Sequence, residues 1–134
     1  LYGDVLNDRP VMLKIKDRQR TDWTVATQLV EVGNRTYAAP NYYYFFDSPT
    51  MVGTIMRGDF EVKNPDGNVQ TIEVAMMHEG TREEFDDYVK WTEDVVPAQQ
   101  KFYGELPASD YGKYTSLCAY TPWIGAAGWD PRTP

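Results

Sequence analysis

The stretch Thr71 to Val89, TIEVAMMHEGTREEFDDYV, decides the fold, because the hydrophobic period changes inside it. Ile72, Val74 and Met76 recur at every second residue, the period of a strand with one buried face. Past His78 the spacing changes. Phe85, Tyr88, Val89, Thr92, Val95, Val96, Gln99 and Phe102 recur at the spacing of an amphipathic helix. Thr81 and Glu84 stand three apart at the junction, as a capping box requires: the threonine caps and the glutamate reaches back to its amide. Gly104 supplies a stop and Pro107 prevents resumption, so the pattern predicts a helix over 82–103. Pro97 lies inside it, lacks an amide donor and is expected to kink it.

Upstream the chain reads as β structure. Val11, Leu13 and Ile15 alternate with Met12, Lys14 and Lys16, and Trp23, Val25, Thr27 and Leu29 repeat the pattern. Turns are expected at 7–10 and 32–35. Tyr42 to Phe46 is expected as a short strand, since aromatic residues favour strands. Phe60 and Val62, the turn Pro65-Asp66-Gly67, and the 72–76 run predict a β-hairpin. Downstream of the helix a strand is expected over 114–120. The fold class is therefore α+β: a β-rich, sandwich-like N-terminal part, then a long helix and a short strand.

Composition narrows the function. The 134 residues suit one compact domain or pieces of two, and the balance of hydrophobic and charged residues is that of a soluble globular protein. A net charge of -7 argues against a nucleic-acid partner, which needs clustered Lys and Arg. No apolar run is long enough for a membrane span. The chain begins at Leu1 rather than Met, and a piece of a longer protein is expected; its compartment stays open between bacterial periplasm and cytoplasm.

Candidate chemistry is sparse. His78-Glu79 opens like the zinc-peptidase signature H-E-x-x-H, but the fifth position is Arg82, a cation that cannot ligate zinc. His78 is the chain's one histidine, so it reads as a strand-end residue and no metal site is expected here. Cys118 has neither a disulfide partner nor a metal cluster and reads as a buried, inert thiol on a strand. Tyr42-Tyr43-Tyr44 is either a stacking platform or simply strand-forming residues. Arg57-Gly58-Asp59 spells an adhesion tripeptide and Asn34-Arg35-Thr36 a glycosylation sequon; neither carries weight alone. Glu83, Glu84, Asp86 and Asp87 suit a helix N-terminus electrostatically.

An ordered series of short stretches adds context. Gly3-Asp4, Trp23 to Thr27, Tyr37 to Pro40, Asp47-Ser48-Pro49-Thr50-Met51-Val52-Gly53, Val95 to Pro107 and Tyr114-Thr115 together resemble the glycyl aminopeptidase family of zinc metallopeptidases, relatives of thermolysin and aminopeptidase N. The resemblance implies that residues 1–80 end a β-rich N-terminal domain and that 81–134 begin a thermolysin-like catalytic domain. It places the zinc motif, with its metal and general-base glutamate, beyond this chain, and a PDZ domain often follows in the family. The implied partners are the remainder of the catalytic domain and, in the parent, a peptide substrate; the implied cofactor, zinc, belongs to the parent alone. The resemblance also implies a substrate contact on an edge strand, here Gly128, Trp129 and Asp130. Asp130 keeps a carboxylate one methylene shorter than the family's glutamate, and Pro131 beside it cannot donate an amide. The alternative reading is a diverged binding or scaffold module that presents the tyrosine cluster, Trp123 and Trp129.

Overall fold

The computed structural model describes residues 7–16 and 22–122. The chain divides into two compact units, Leu1–Thr54 and Ile55–Pro134.

The first unit contains β1 (Val11–Lys14), β2 (Thr24–Thr27), β3 (Val30–Gly33), β4 (Thr36–Ala39), the short helix α1 (Tyr42–Phe46) and β5 (Thr50–Gly53). The strands form an antiparallel sheet in the order β1-β4-β3 and a second, antiparallel pair β2-β5. The expected alternation is observed: Val11, Leu13 and Ile15 pack with buried Leu29, Tyr37 and Ala39, while Met12 is 61% exposed. Val25 of β2 joins the same cluster, so both sheets share one core.

Tyr42 to Phe46 departs from the expected strand. Asn41, in extended conformation, accepts a 2.8 Å hydrogen bond from the Tyr44 amide and caps a five-residue helix. That bond satisfies an amide that would otherwise lack a partner, and it outweighs the aromatic preference for strands. Tyr44 and Phe45 turn into the core, whereas Tyr43 and Phe46 face solvent. The overlooked signal was the asparagine directly after Pro40.

The second unit contains β6 (Met56–Lys63), β7 (Val69–His78), α2 (Arg82–Tyr103) and β8 (Lys113–Tyr120) in a sheet ordered β6-β7-β8. β6 and β7 form the expected antiparallel hairpin, and Gly67, at φ 91°, occupies the left-handed position of its turn. β7 and β8 run parallel, so α2 is the crossover of a βαβ unit. Phe60, Val62, Ile72, Val74, Met76 and Phe85 form the buried core between sheet and helix.

Both ends of α2 behave as expected. Thr81 Oγ1 accepts from the Glu84 amide at 3.2 Å, and Glu84 Oε2 accepts from the Thr81 amide at 2.7 Å. Gly104, at φ 94°, closes the helix by donating its amide to Gln100 O at 2.8 Å. The helix continues as one element through Pro97, which lies on its exposed side. The loop that follows is held by side chains of the hairpin. Asn64 Oδ1 accepts from the Leu106 amide, and buried Gln70 bonds both Pro107 O and the Ser109 amide. These contacts replace the backbone partners that an irregular loop lacks.

β6, β7, α2 and β8 all belong to the second compact unit. β7 lies between β6 and β8, and its apolar face is the seat of α2, so the hairpin shares a core with the helix. Among the described residues no helix is long and apolar enough to cross a membrane.

Candidate functional site

β7 and β8 end side by side, with His78 opposite Tyr120. α2 begins four residues after His78 and returns over these strand ends. Its positions 84, 87, 88 and 91 follow the i, i+3, i+4, i+7 spacing and share one face. Together these elements enclose an open groove of about 760 Å³, lined by His78, Glu79, Glu84, Asp87, Tyr88, Trp91, Tyr120 and Thr121 among others.

The groove has an aromatic wall and an acidic rim. Trp91 is 65% exposed and Tyr120 60%, although both are large aromatics. Tyr88 meets Tyr120 edge to face with ring centroids 6.1 Å apart. The Tyr88 hydroxyl lies 3.5 Å from Cys118 Sγ. That hydrogen bond, then burial and the neighbouring Tyr120, push the phenol above its ordinary range, so it stays protonated. Glu84 is held below the usual carboxylate range by hydrogen bonds from the Thr81 backbone and side chain. Thr121 Oγ1 is buried with no protein hydrogen-bond partner among the described residues.

His78 is engaged on both ring nitrogens. Its Nδ1 accepts the Gly80 amide at 3.1 Å, and its Nε2 lies 3.2 Å from Met56 Sδ. The ring also stacks at 6.4 Å from Phe85, and the Arg82 guanidinium lies 5.0 Å over that same phenylalanine. Arg82 therefore covers the core at the position where a zinc signature would carry its second histidine. Among the described residues no three His, Cys, Asp or Glu side chains converge as a metal set would. The described residues do not fit zinc.

The remaining sequence candidates take ordinary places. Cys118 is half-buried on β8, between the hydroxyls of Tyr88 and Ser116. No imidazole bonds to it among the described residues. Arg57, of the adhesion-like tripeptide, is the second residue of β6 and pairs with Glu73. Gly58 beside it lies under α2: an added Cβ would stand 2.9 Å from Val89 Cγ2. Asn34 belongs to the β3–β4 turn. Gly128, Trp129 and Asp130, with Trp123, lie outside the described residues.

One charged cluster was not read from the sequence. Glu73, on β7, accepts from Arg57 of β6, from Lys113 Nζ at 2.8 Å and from Thr115 Oγ1 at 3.2 Å on β8. Burial alone would raise its pKa, but the hydrogen bonds from Lys113 and Arg57 overcome this and hold it below the usual range. The cluster ties three strands together on the sheet face opposite α2. Its partners are 16, 40 and 42 positions away, so only the register could reveal it.

Known proteins share parts of this chain's sequence and fold. Residues 1–54 match the peptidase M61 N-terminal domain. The match covers the same residues as the first compact unit. Over 87% of its length the chain is similar in fold to the crystal structure of an aminopeptidase N family protein from Idiomarina loihiensis, with a TM-score of 0.60 and 20% identity. The present chain spans only 19% of that protein's length. No curated protein gives a significant sequence match. These findings relate the first unit to the peptidase M61 N-terminal domain and show a fold shared with that structure.

Proposed function

We propose that this chain is a non-catalytic portion of a glycyl-aminopeptidase-like zinc metallopeptidase whose parent cleaves peptide bonds near a substrate's N-terminus. The observation that carries this reading is the continuity of two likenesses. The M61 match covers the first unit, and the fold likeness to an aminopeptidase N family protein extends over most of the chain. On this reading the first unit belongs to the parent's β-rich N-terminal domain. α2 and β8 open its catalytic domain, with the hairpin β6–β7 as the connecting sheet.

The chain's own residues support a structural part in that enzyme. One histidine cannot complete H-E-x-x-H, and His78 is already bound to Gly80 and Met56. Zinc in the parent would polarise a peptide carbonyl and activate water; its ligands would come from sequence that this chain does not contain. The test is metal analysis and aminopeptidase assay of the full-length parent beside this chain. The parent should hold one zinc per molecule and release N-terminal residues, and this chain should do neither. Stoichiometric zinc on this chain after dialysis, or a parent gene without H-E-x-x-H, would overturn the reading.

A second reading, a binding module without chemistry, is favoured by the exposed aromatic wall of Trp91 and Tyr120. It predicts that peptides or glycans change the tryptophan emission; an unchanged spectrum with both ligand types rejects it.

A further inference from the structure

The sheet β6-β7-β8 carries a row of sulfur-bearing residues beneath α2. Met56 of β6 is the register partner of Met76 of β7, and Met76 is the partner of Cys118 of β8. All three belong to the core that the sheet shares with α2: Met76 is buried in it, and Met56 and Cys118 pack against it. His78 follows Met76 by two residues, so strand alternation returns its imidazole to the same face. There the ring Nε2 meets Met56 Sδ at 3.2 Å.

Methionines alone would be ordinary packing, since thioethers fill cores well. The imidazole makes the difference. A thioether is a weak hydrogen-bond acceptor, yet it is what Nε2 faces, although the carboxylates of Glu79, Glu84 and Asp87 line the same groove. The separation also suits two donors that share one ion. A sulfur at about 2.3 Å and a nitrogen at about 2.0 Å from a tetrahedral centre stand roughly 3.5 Å apart.

We infer that Met56 Sδ, Met76 Sδ and His78 Nε2 form a site for a soft monovalent metal ion, copper(I). Thioethers select copper(I) and imidazole suits copper as well, whereas structural and catalytic zinc is held by thiolates, imidazoles and carboxylates. The three donors are neutral and leave the ion's charge whole, and one charge costs less to bury than two. Met76 and His78 line the groove, whose acidic rim draws cations towards them. An ion on Nε2 leaves the ring's proton on Nδ1, where it displaces the Gly80 amide. The inference is independent of the peptidase reading.

Titration with copper(I), under ascorbate and without oxygen, against a colorimetric copper(I) chelator provides the test. The chain should withdraw one ion from the chelator. Met56→Leu, Met76→Leu and His78→Gln should each weaken binding by about tenfold or more. Met77→Leu, the same thioether on the opposite sheet face, should not. Cys118→Ser should also leave the ion in place, which separates this site from capture by a lone thiol. Silver(I) on the unaltered chain gives a readout that needs no variant. In NMR spectra it should shift the methyl signals of Met56 and Met76 and the Gly80 amide, and leave those of Met12, Met51 and Met77 unmoved. A chain that withdraws no copper, loss of binding with Cys118→Ser alone, or equal effects of Met76→Leu and Met77→Leu would overturn the inference. So would silver shifts that spare Met56 and Met76.

Discussion

Glu73 is the residue whose environment says most about the second unit. Its side chain is 11% exposed and bonded to groups from both neighbouring strands. Its folded pKa is lowered from 4.5, so its contribution is complete above the unfolded pKa and is lost as pH falls through the folded value. Glu84 shifts in the same direction. Urea unfolding followed by circular dichroism should therefore show level stability above about pH 5 and a decline in more acid solution. Glu73→Gln should cost about 2 kcal/mol at neutral pH, because Arg57 and Lys113 lose their counter-charge, and should flatten the acid limb. An unchanged acid limb in that variant would assign the effect elsewhere. Thr81→Ala should cost about 1 kcal/mol at neutral pH, through the lost cap of α2. Amide exchange in the first turn of α2 would report it directly.

At the scale of elements, the contact between β6 and α2 is set by one glycine. A Cβ at Gly58 would meet Val89 Cγ2 at 2.9 Å and Phe85 Cε1 at 3.3 Å, both in a packed interface. Gly58→Ala should destabilise the second unit by about 1–3 kcal/mol, as overpacking does. Val89→Ala removes the clashing methyls, so the double variant should be more stable than the sum of the single costs implies. A thermal-melt double-mutant cycle with no coupling would show that the helix yields rather than clashes. The ends of α2 were legible in the sequence because a capping box and a terminal glycine are local chemistry. α1 was not. Its five aromatic residues carry a strand preference, and what decides them is the Asn41 cap together with a core that takes Tyr44 and Phe45 from a helical turn.

At the scale of the whole molecule, the two units have separate buried clusters, one around Leu29, Tyr37 and Ala39 and one around Val74 and Phe85. Phe85→Ala should cost the second unit about 3–5 kcal/mol through the cavity it leaves. Exchange of the Tyr37 and Ala39 amides should hardly change, and equal loss of protection in both units would show them to be one cooperative body. The candidate site was legible only in pieces. The spacing from His78 to Arg82 argues against a zinc signature, yet nothing local foretells that Arg82 lies over Phe85. The groove was not foreseen either, since His78 and Tyr120 are 42 positions apart and meet only through parallel pairing. By itself the sequence determined the α+β class, the bounds of α2 and the hairpin turn, because periodicity, caps and turn residues act over a few positions. Only the tertiary structure decided that α1 is a helix, that the hairpin shares its core with α2, and that Arg57 and Lys113 converge on Glu73. Those outcomes depend on register and packing between residues far apart in the chain, which no local pattern encodes.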